Sequence, residues 1–255
     1  MARVIAIANQ KGGVGKTTTA INLAASLAVA EKRVLAIDLD PQGNLTSGFG
    51  QEKASGLYDA LFSATPLPEA VSTQLQYLRI VPSDPDLAGL EVELAASERR
   101  EFRLRAVIDT VRDQYDFILL DTPPSLGLLA VNALTAADSV LVPIQCEYFA
   151  LEGLGAFLGT LERIRAALNP GVALEGVLLT MADERTNLSQ QVSADVRAHF
   201  GDQVFKITIP RSIRLAEAPS FGKPVLLYDI KSRASECYLS LAREILDRND
   251  KRVAQ

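Results

Sequence analysis

The sequence predicts an α/β protein built on a doubly wound, mostly parallel β-sheet flanked by helices. Short runs rich in β-branched residues alternate with helical patterns along the whole chain. A glycine-rich loop stands between the first strand pattern and the first helix pattern. No Pro- or Gly-rich linker divides the 255 residues, a length that suits one large domain. We therefore expect a single domain over residues 1–248 and a polar C-terminal tail over residues 249–255.

The predicted elements alternate in the order of βαβ units. Strands are expected at Val4–Ala8, Arg33–Asp38, Tyr77–Val81, Phe117–Leu120, Ser139–Pro143, Val172–Thr180 and Phe205–Ile209. Helices are expected at Thr17–Ala30, Glu98–Asp113, Leu151–Leu168, Leu188–Phe200 and Arg233–Arg248, with a short one after Gly56. The continuous apolar run Phe117–Leu120 is typical of a central parallel strand that is covered on both faces. Because ligands of such sheets bind at the carboxyl ends of the strands, the residues that end strands are the candidate site.

Composition and charge exclude several classes of function. The formal net charge is −5, so any contact with nucleic acid must come from a local patch. Cys146 and Cys237 stand far apart and His199 is the single histidine, which excludes a disulfide framework and a multi-histidine metal site. The apolar runs are too short to span a bilayer, and the N-terminus lacks a signal-peptide pattern. We expect a cytoplasmic protein with no membrane partner.

The segment 11–17 reads Lys-Gly-Gly-Val-Gly-Lys-Thr, the pattern of a phosphate-binding P-loop. A Gly-rich turn with incidental lysines is the competing interpretation, and the strand before and helix after the loop disfavour it. Lys16 is expected to contact the β- and γ-phosphates, Thr17 to ligate Mg²⁺ and Thr18 to bond the α-phosphate. The expected nucleotide-binding residues of the loop are Lys11, Gly12, Gly13, Val14, Gly15, Lys16, Thr17 and Thr18.

Carboxylates follow two of the predicted strands. Asp38 and Asp40 stand in a Pro- and Gly-containing turn, where they could cap the turn or act on an attacking water. The neighbouring phosphate loop favours the second role. Asp121 directly follows four apolar residues, which is the Walker B pattern, and we expect it to hold Mg²⁺ through a water.

The phosphate loop departs from the general P-loop pattern, because Gln10 stands where a glycine is usual and Lys11 adds a second lysine. Further motifs are Asp-Leu-Asp-Pro-Gln-Gly-Asn at 38–44, Asp-Thr-Pro-Pro-Ser at 121–125 and Arg-Leu-Ala-Glu-Ala-Pro-Ser-Phe-Gly-Lys-Pro at 214–224. With these motifs the sequence resembles the deviant Walker A P-loop NTPases, which include partition ATPases, MinD-type ATPases and nitrogenase iron proteins. Over nearly the whole chain it is most similar to the chromosomal ParA/Soj proteins.

The resemblance implies an Mg²⁺-dependent ATPase that binds ATP and ADP. In that family the extra lysine reaches the partner's nucleotide in an ATP sandwich homodimer, so Lys11, Lys16 and Asp40 are the implied catalytic residues. Asp38 would support the metal and water shell, with Thr17 and Asp121 as the other metal-binding residues. The implied ATP-bound dimer binds DNA non-specifically on the nucleoid, and a ParB-type centromere-binding protein stimulates hydrolysis. The alternative is a ParA-like ATPase that positions another cargo or the division site, as MinD does.

The base preference follows from residues 180–183, which read Thr-Met-Ala-Asp. Related GTPases carry Asn/Thr-Lys-x-Asp there, and the lysine that stacks on guanine is missing, which favours adenine. The resemblance implies that backbone groups of Pro210 and Ser212 complete the adenine pocket.

Basic residues cluster late in the chain. Residues 206–233 contain six basic and two acidic residues, a local net charge of +4 in a chain of −5. A solvated basic face is the ordinary explanation of such a cluster, but in a family whose ATP dimers bind DNA it predicts a phosphate-contacting patch. The expected DNA-binding residues are Arg211, Arg214, Lys223 and Arg233.

Overall fold

The computed structural model describes residues 1–63, 65–183 and 185–253 and centres on a seven-stranded sheet. The strands are β1 (Arg3–Ile7), β2 (Val34–Asp38), β3 (Val71–Ser72), β4 (Leu78–Val81), β5 (Phe117–Asp121), β6 (Ser139–Gln145) and β7 (Ala173–Thr180). Their order across the sheet is β3-β4-β2-β5-β1-β6-β7. All neighbours are parallel except β3 and β4. The predicted fold class, a doubly wound and mostly parallel sheet flanked by helices, is confirmed.

Helices connect the parallel strands and cover both faces of the sheet. They are α1 (Lys16–Val29), α2 (Asn44–Gly48), α3 (Leu57–Ser63), α4 (Leu90–Glu93), α5 (Arg103–Asp109), α6 (Leu128–Ala136), α7 (Ala150–Ala167), α8 (Asn187–Phe200), α9 (Ile213–Glu217), α10 (Val225–Tyr228) and α11 (Arg233–Val253). None of the helices in the described ranges combines the length and apolarity needed to cross a bilayer.

Two apolar cores lie on opposite faces of the sheet. The alternation of side chains along β1 sends Val4 and Ala6 into the core beneath α6 and α7, and Ile5 and Ile7 into the core beneath α1 and α11. Every residue of the neighbouring strand β5 is buried, as its continuous apolar run predicted. The sheet therefore holds the carboxyl ends of β1, β2 and β5 side by side, with helices on both faces.

The prediction of a last strand at Phe205–Ile209 is wrong. The first and last amides of this segment donate to the carbonyls of Val177 and Leu179 on β7, but no strand forms there. The Arg197 guanidinium instead binds two carbonyls of the segment. The Glu244 carboxylate accepts the N–H of Lys206, the second residue of the segment. These side-chain contacts occupy the backbone groups that a regular ladder would need.

Two helix boundaries also differ from the prediction. The expected helix Glu98–Asp113 is divided into a 3₁₀ turn at Arg100–Phe102, α5 and a second 3₁₀ turn at Arg112–Gln114. The closing helix α11 continues past Arg248 to Val253, into the stretch predicted as a tail, and residues 254–255 lie outside the described part of the chain.

Candidate nucleotide-binding site

The predicted phosphate loop lies between β1 and α1, at the carboxyl edge of the sheet. Gly13 and Gly15 have φ angles of 74° and 87°, a left-handed backbone region that residues with a Cβ rarely adopt. Gly15 is the N-cap residue of α1, so the loop leads directly into the positive end of the helix dipole. This geometry directs backbone N–H groups and a helix N-terminus toward the same space, which suits an anion such as a phosphate.

Side chains from distant strands and helices hold the loop in place. Asn9 donates to the carbonyl of Pro143 at 2.7 Å and accepts the Lys11 N–H at 3.0 Å. The Thr180 hydroxyl donates to the carbonyl of Val14, a buried residue of the loop, at 2.9 Å. Gln10, the residue that replaces the usual glycine, donates to the Thr160 hydroxyl at 3.0 Å on α7. Gln10, where a glycine is usual, therefore connects the loop to α7 through its side chain.

The two lysines of the loop have opposite environments. Lys16 is 6% exposed, and its Nζ donates to the Lys11 carbonyl at 3.2 Å. Burial lowers the pKa of Lys16, although the nearby carboxylates of Asp121 and Asp40 oppose the shift. The Lys11 side chain is 47% exposed, and its Nζ lies 3.0 Å from a carboxylate oxygen of Glu147. Lys16 is thus directed into the loop, while Lys11 stands on its rim.

The two carboxylates that follow β2 differ in their contacts. Asp38 is fully buried and accepts hydrogen bonds from the Thr46 N–H (2.9 Å), the Thr46 hydroxyl (2.6 Å) and the Asp40 N–H (3.2 Å). Burial raises the pKa of Asp38 to about 6 against the effect of these bonds. Asp40 borders the phosphate loop and accepts the Gln42 N–H at 3.0 Å.

Asp121 ends β5, directly across from Asp38 in the register of the two strands. It is fully buried, and within the described ranges neither of its carboxylate oxygens has a hydrogen-bond partner in good geometry. Burial and repulsion from Asp38 raise its pKa well above the usual range, while the nearby Thr17 hydroxyl and Lys16 ammonium favour the charged form. Buried carboxylates without partners are rare, and this one fits a bound divalent cation with its waters.

Two adjoining cavities open beside the loop. One of about 370 Å³ is lined by the loop glycines and by Lys16, Thr17 and Asp40. The other, of about 380 Å³, is mostly apolar. Its walls include Thr18, Met181, Pro210, Ser212 and Tyr238. Gly15, Thr18 and Met181 line both cavities, so a polar space and an apolar space meet at the start of α1. The pair has the shape and polarity of a site for phosphates joined to a base.

The wall of the apolar cavity contains a strained residue that the sequence did not indicate. Met181 has a φ of 51°, a left-handed backbone conformation that residues with a Cβ rarely adopt. The Asp183 carboxylate does not line this cavity and instead binds the Arg185 guanidinium at 2.7 and 2.8 Å. Asp183 therefore lies outside the lining of the apolar cavity and is paired with a surface arginine.

The predicted basic segment follows the apolar cavity along the chain. Arg211 is exposed. Arg214 is bound by Glu217 at 3.0 Å and Asp229 at 3.2 Å, so part of its charge is neutralised within the segment. Arg233 likewise pairs with Glu236 at 3.2 Å, and Lys223 is half-buried. The four expected DNA-binding residues therefore lie on one segment of the chain in different electrostatic settings, and Arg211 also lines the apolar cavity.

Comparison with known proteins gives consistent matches. The family model described as "AAA domain" matches residues 2–174. The chromosome partitioning protein ParA of Myxococcus xanthus is 55% identical over 97% of this chain and 89% of its own length. The sporulation initiation inhibitor protein Soj of Bacillus subtilis is 52% identical over 96% of this chain and 98% of its own. A cobyrinic acid a,c-diamide synthase structure from Mycobacterium smegmatis, with bound ADP and magnesium, superposes with a TM-score of 0.84 at 36% identity and covers 96% of this chain and 94% of its own.

The fold and the site together define a P-loop nucleoside triphosphatase with a second lysine at the head of its phosphate loop. The chain belongs to the ParA/Soj family of chromosome-partitioning ATPases. The resemblance inferred from the motifs is confirmed.

Proposed function

We infer that this chain is an Mg²⁺-dependent ATPase that works as a dimerising switch in chromosome partitioning. The observation that carries the inference is the contrast between its two loop lysines. Lys16 is buried in the phosphate cavity, whereas Lys11 stands half-exposed on the rim, where its ammonium pairs with the equally exposed carboxylate of Glu147. Exposed ion pairs of this kind contribute little free energy, so Lys11 can leave Glu147 for a phosphate of a second molecule at small cost.

Nucleotide binding follows from the two cavities. The loop N–H groups and Lys16 would bind the phosphates of ATP or ADP, with the Thr18 hydroxyl at the α-phosphate. The base would occupy the apolar cavity against Met181, with backbone groups of Pro210 and Ser212 at its edge. The bound nucleotide in the Mycobacterium smegmatis relative supports this assignment.

Hydrolysis requires a carboxylate near the γ-phosphate position. Asp40 meets this requirement, because it lines the phosphate cavity and its carboxylate is oriented by the Gln42 N–H. Asp40 would orient and deprotonate the attacking water, and Lys16 would balance the charge of the phosphates. Thr17 and Asp121, supported by Asp38, would hold Mg²⁺ through direct or water-mediated contacts. When bound, this ion neutralises phosphate charge.

Dimerisation would then create the DNA-binding form. Two subunits that face each other across their nucleotides would place two copies of the basic segment 206–233 on one particle. Doubling the local charge of +4 favours phosphate contacts that depend steeply on salt and little on DNA sequence. Hydrolysis stimulated by a ParB-type centromere-binding protein would open the dimer and release it from the nucleoid.

The experiment separates the two lysines. Lys16→Ala, Lys11→Ala and the control Lys32→Ala are compared for ATP binding, for dimer formation by light scattering and for DNA retention at several salt concentrations. We expect Lys16→Ala to lose ATP binding, and Lys11→Ala to bind ATP but to form no dimer and retain no DNA. Lys32→Ala should behave as wild type. A Lys16→Ala protein that retains DNA as well as wild type with ATP would contradict the switch.

A second measurement tests whether a ParB-type protein is the partner that stimulates hydrolysis. ATP hydrolysis is followed with DNA alone and with DNA plus N-terminal peptides of a ParB-type protein. Stimulation by these peptides supports chromosome partitioning. A rate that the peptides leave unchanged would contradict the ParB part of the proposal, without affecting the ATP-dependent dimer.

A further inference from the structure

A serine outside the phosphate loop holds the catalytic turn at three points. Ser83 follows β4 and is fully buried. Its hydroxyl donates to the carbonyl of Asp40 at 2.6 Å, and its N–H donates to the Thr46 hydroxyl oxygen at 2.8 Å. Its carbonyl accepts the Ala54 N–H at 3.1 Å. All polar groups of Ser83 therefore bind the segment that follows β2.

Thr46 extends this contact to the second carboxylate. The Thr46 hydroxyl donates its hydrogen to Asp38 at 2.6 Å, and a lone pair of the same oxygen accepts the Ser83 N–H. The hydrogen-bond directions are thus fixed along the chain from Ser83 through Thr46 to Asp38. Ser83 is connected to both carboxylates of the turn, to Asp40 through its backbone and to Asp38 through Thr46.

Ser83 follows a strand of the sheet and is flanked by prolines on both sides. Strand β4 pairs with β2 within the sheet, and Pro82 and Pro85 restrict the backbone on either side of Ser83. The neighbouring Asp84 accepts the N–H groups of Gly56 and Tyr58, at 2.9 and 3.0 Å, and so fixes the far end of the same segment. Residues 40–58 are therefore a connection whose two ends are both held by Ser83 and Asp84.

We propose that Ser83 is a positioning residue for ATP hydrolysis, which sets the place of the Asp40 carboxylate over the phosphate cavity. The proposal rests on the proposed role of Asp40 as the group that acts on the attacking water. A misplacement of about 1 Å costs a reaction of this kind up to a hundredfold in rate. Loss of the Ser83 hydroxyl removes the bond that connects the Asp40 carbonyl to the end of β4, while the bond from the Gly43 N–H to the same carbonyl, at 2.9 Å within the turn, remains.

The test compares Ser83→Ala with Ser26→Ala in the full chain. Ser26 is equally buried, and its hydroxyl donates to a helix carbonyl at 2.7 Å, toward the far end of α1 from the phosphate loop. Both variants lose one buried serine-to-carbonyl bond, so both should lower the melting temperature similarly. We expect Ser83→Ala to lower kcat about tenfold with KM for MgATP within about twofold of wild type. Ser26→Ala should leave kcat unchanged, and Ser83→Thr, which keeps the hydroxyl, should recover most of the rate.

A double variant distinguishes failure of the Ser83 proposal from failure of the proposed role of Asp40. If Ser83 acts through Asp40, Ser83→Ala added to Asp40→Ala causes no further loss of the residual single-turnover rate. A tenfold loss in that background, or a kcat of Ser83→Ala within about twofold of wild type, overturns the positioning role. A wild-type rate for Asp40→Ala overturns the proposed role of Asp40 itself. If Ser83→Ala does not fold, Ser83→Cys replaces it, since the thiol has a similar shape and donates poorly.

Discussion

Replacement of Asp121 by Asn should stabilise the nucleotide-free protein. The carboxylate of Asp121 is fully buried and lies next to Asp38, and within the described ranges neither of its oxygens has a hydrogen-bond partner in good geometry, although the Thr17 hydroxyl is nearby. An unsatisfied buried polar group costs about 1–3 kcal/mol, and a charged one costs more. Asn keeps the shape and is still polar, so the gain comes from removing the excess cost of a buried charge and its repulsion from Asp38; we expect the free energy of unfolding to rise by about 1–3 kcal/mol at pH values where Asp121 is ionised. For a chain of this length that raises the melting temperature by about 2 to 12 °C.

The pH dependence of stability should change in a defined direction. The native pKa of Asp38 is raised to about 6 and that of Asp121 is raised well above its usual range. Between the unfolded pKa, about 4, and these native values, the folded state binds more protons than the unfolded state. Stability of the nucleotide-free wild type therefore falls as the pH rises through this window. Asp121→Asn removes one of the two groups, so its stability should fall less steeply.

The assay is thermal unfolding of the nucleotide-free protein and of the protein with MgATP, at pH values from 5 to 8. Asp121→Asn should melt above wild type without ligand and gain less from MgATP, because a group that favours the metal is gone. Asp116→Asn is the control: Arg33 lowers the pKa of Asp116 through hydrogen bonds, so its removal should lower the melting temperature. An Asp121→Asn protein that melts below wild type without ligand would refute the reasoning.

Two further predictions concern contacts of the C-terminal third. Tyr238→Phe removes the buried 3.3 Å bond between the tyrosine and Thr19 hydroxyls and should cost about 1 kcal/mol, measured as a fall of about 2–4 °C in melting temperature. Gly222→Ala should destabilise more strongly, because its φ is 61° and a Cβ there would lie 2.6 Å from the Cα of Gly50. Gly153→Ala on α7, where a Cβ meets nothing within 4 Å, is the matched control and should stabilise by about 0.5–1 kcal/mol in denaturant titration. Equal effects of the two alanines would contradict the close contact at Gly222.

The parts of the structure that the sequence predicted are those with local signals. The buried strands show apolar runs of the right length, and the phosphate loop needs glycines at positions where the backbone is left-handed, as at Gly13 and Gly15. Strand ends also predicted where Asp38, Asp40 and Asp121 would meet, because parallel strands end at one edge. For these features, a window of a few residues contains the physical cause.

The missed features depend on contacts between distant parts of the chain. Ser83 and Asp40 are 43 positions apart, and Lys11 and Glu147 are 136 apart, so no local pattern indicates either pair. The segment Phe205–Ile209 has strand-like composition, but it forms no regular strand, and its Phe205 and Lys206 carbonyls are bound by Arg197 from α8. Composition indicates the secondary structure that a segment favours, and contacts with the rest of the chain determine whether it forms.

The proposed switch requires that nucleotide binding and DNA binding share a structural element, and the segment 210–222 has contacts at both ends that suit this requirement. Its first residues, Pro210 to Ser212, line the apolar cavity of the nucleotide site. Its last residue, Gly222, lies against Gly50, within the connection formed by residues 40–58. The exposed Arg211 belongs to the first of these contacts, and the ion-paired Arg214 stands between the two. In the proposed switch, a nucleotide that binds two arrangements of these contacts with unequal affinity would shift the equilibrium between them by the corresponding free-energy difference, and the basic residues would move with the segment. Such coupling would need no relay through the core, since this one short segment contacts the base cavity and the catalytic segment and carries basic residues that we propose to bind DNA.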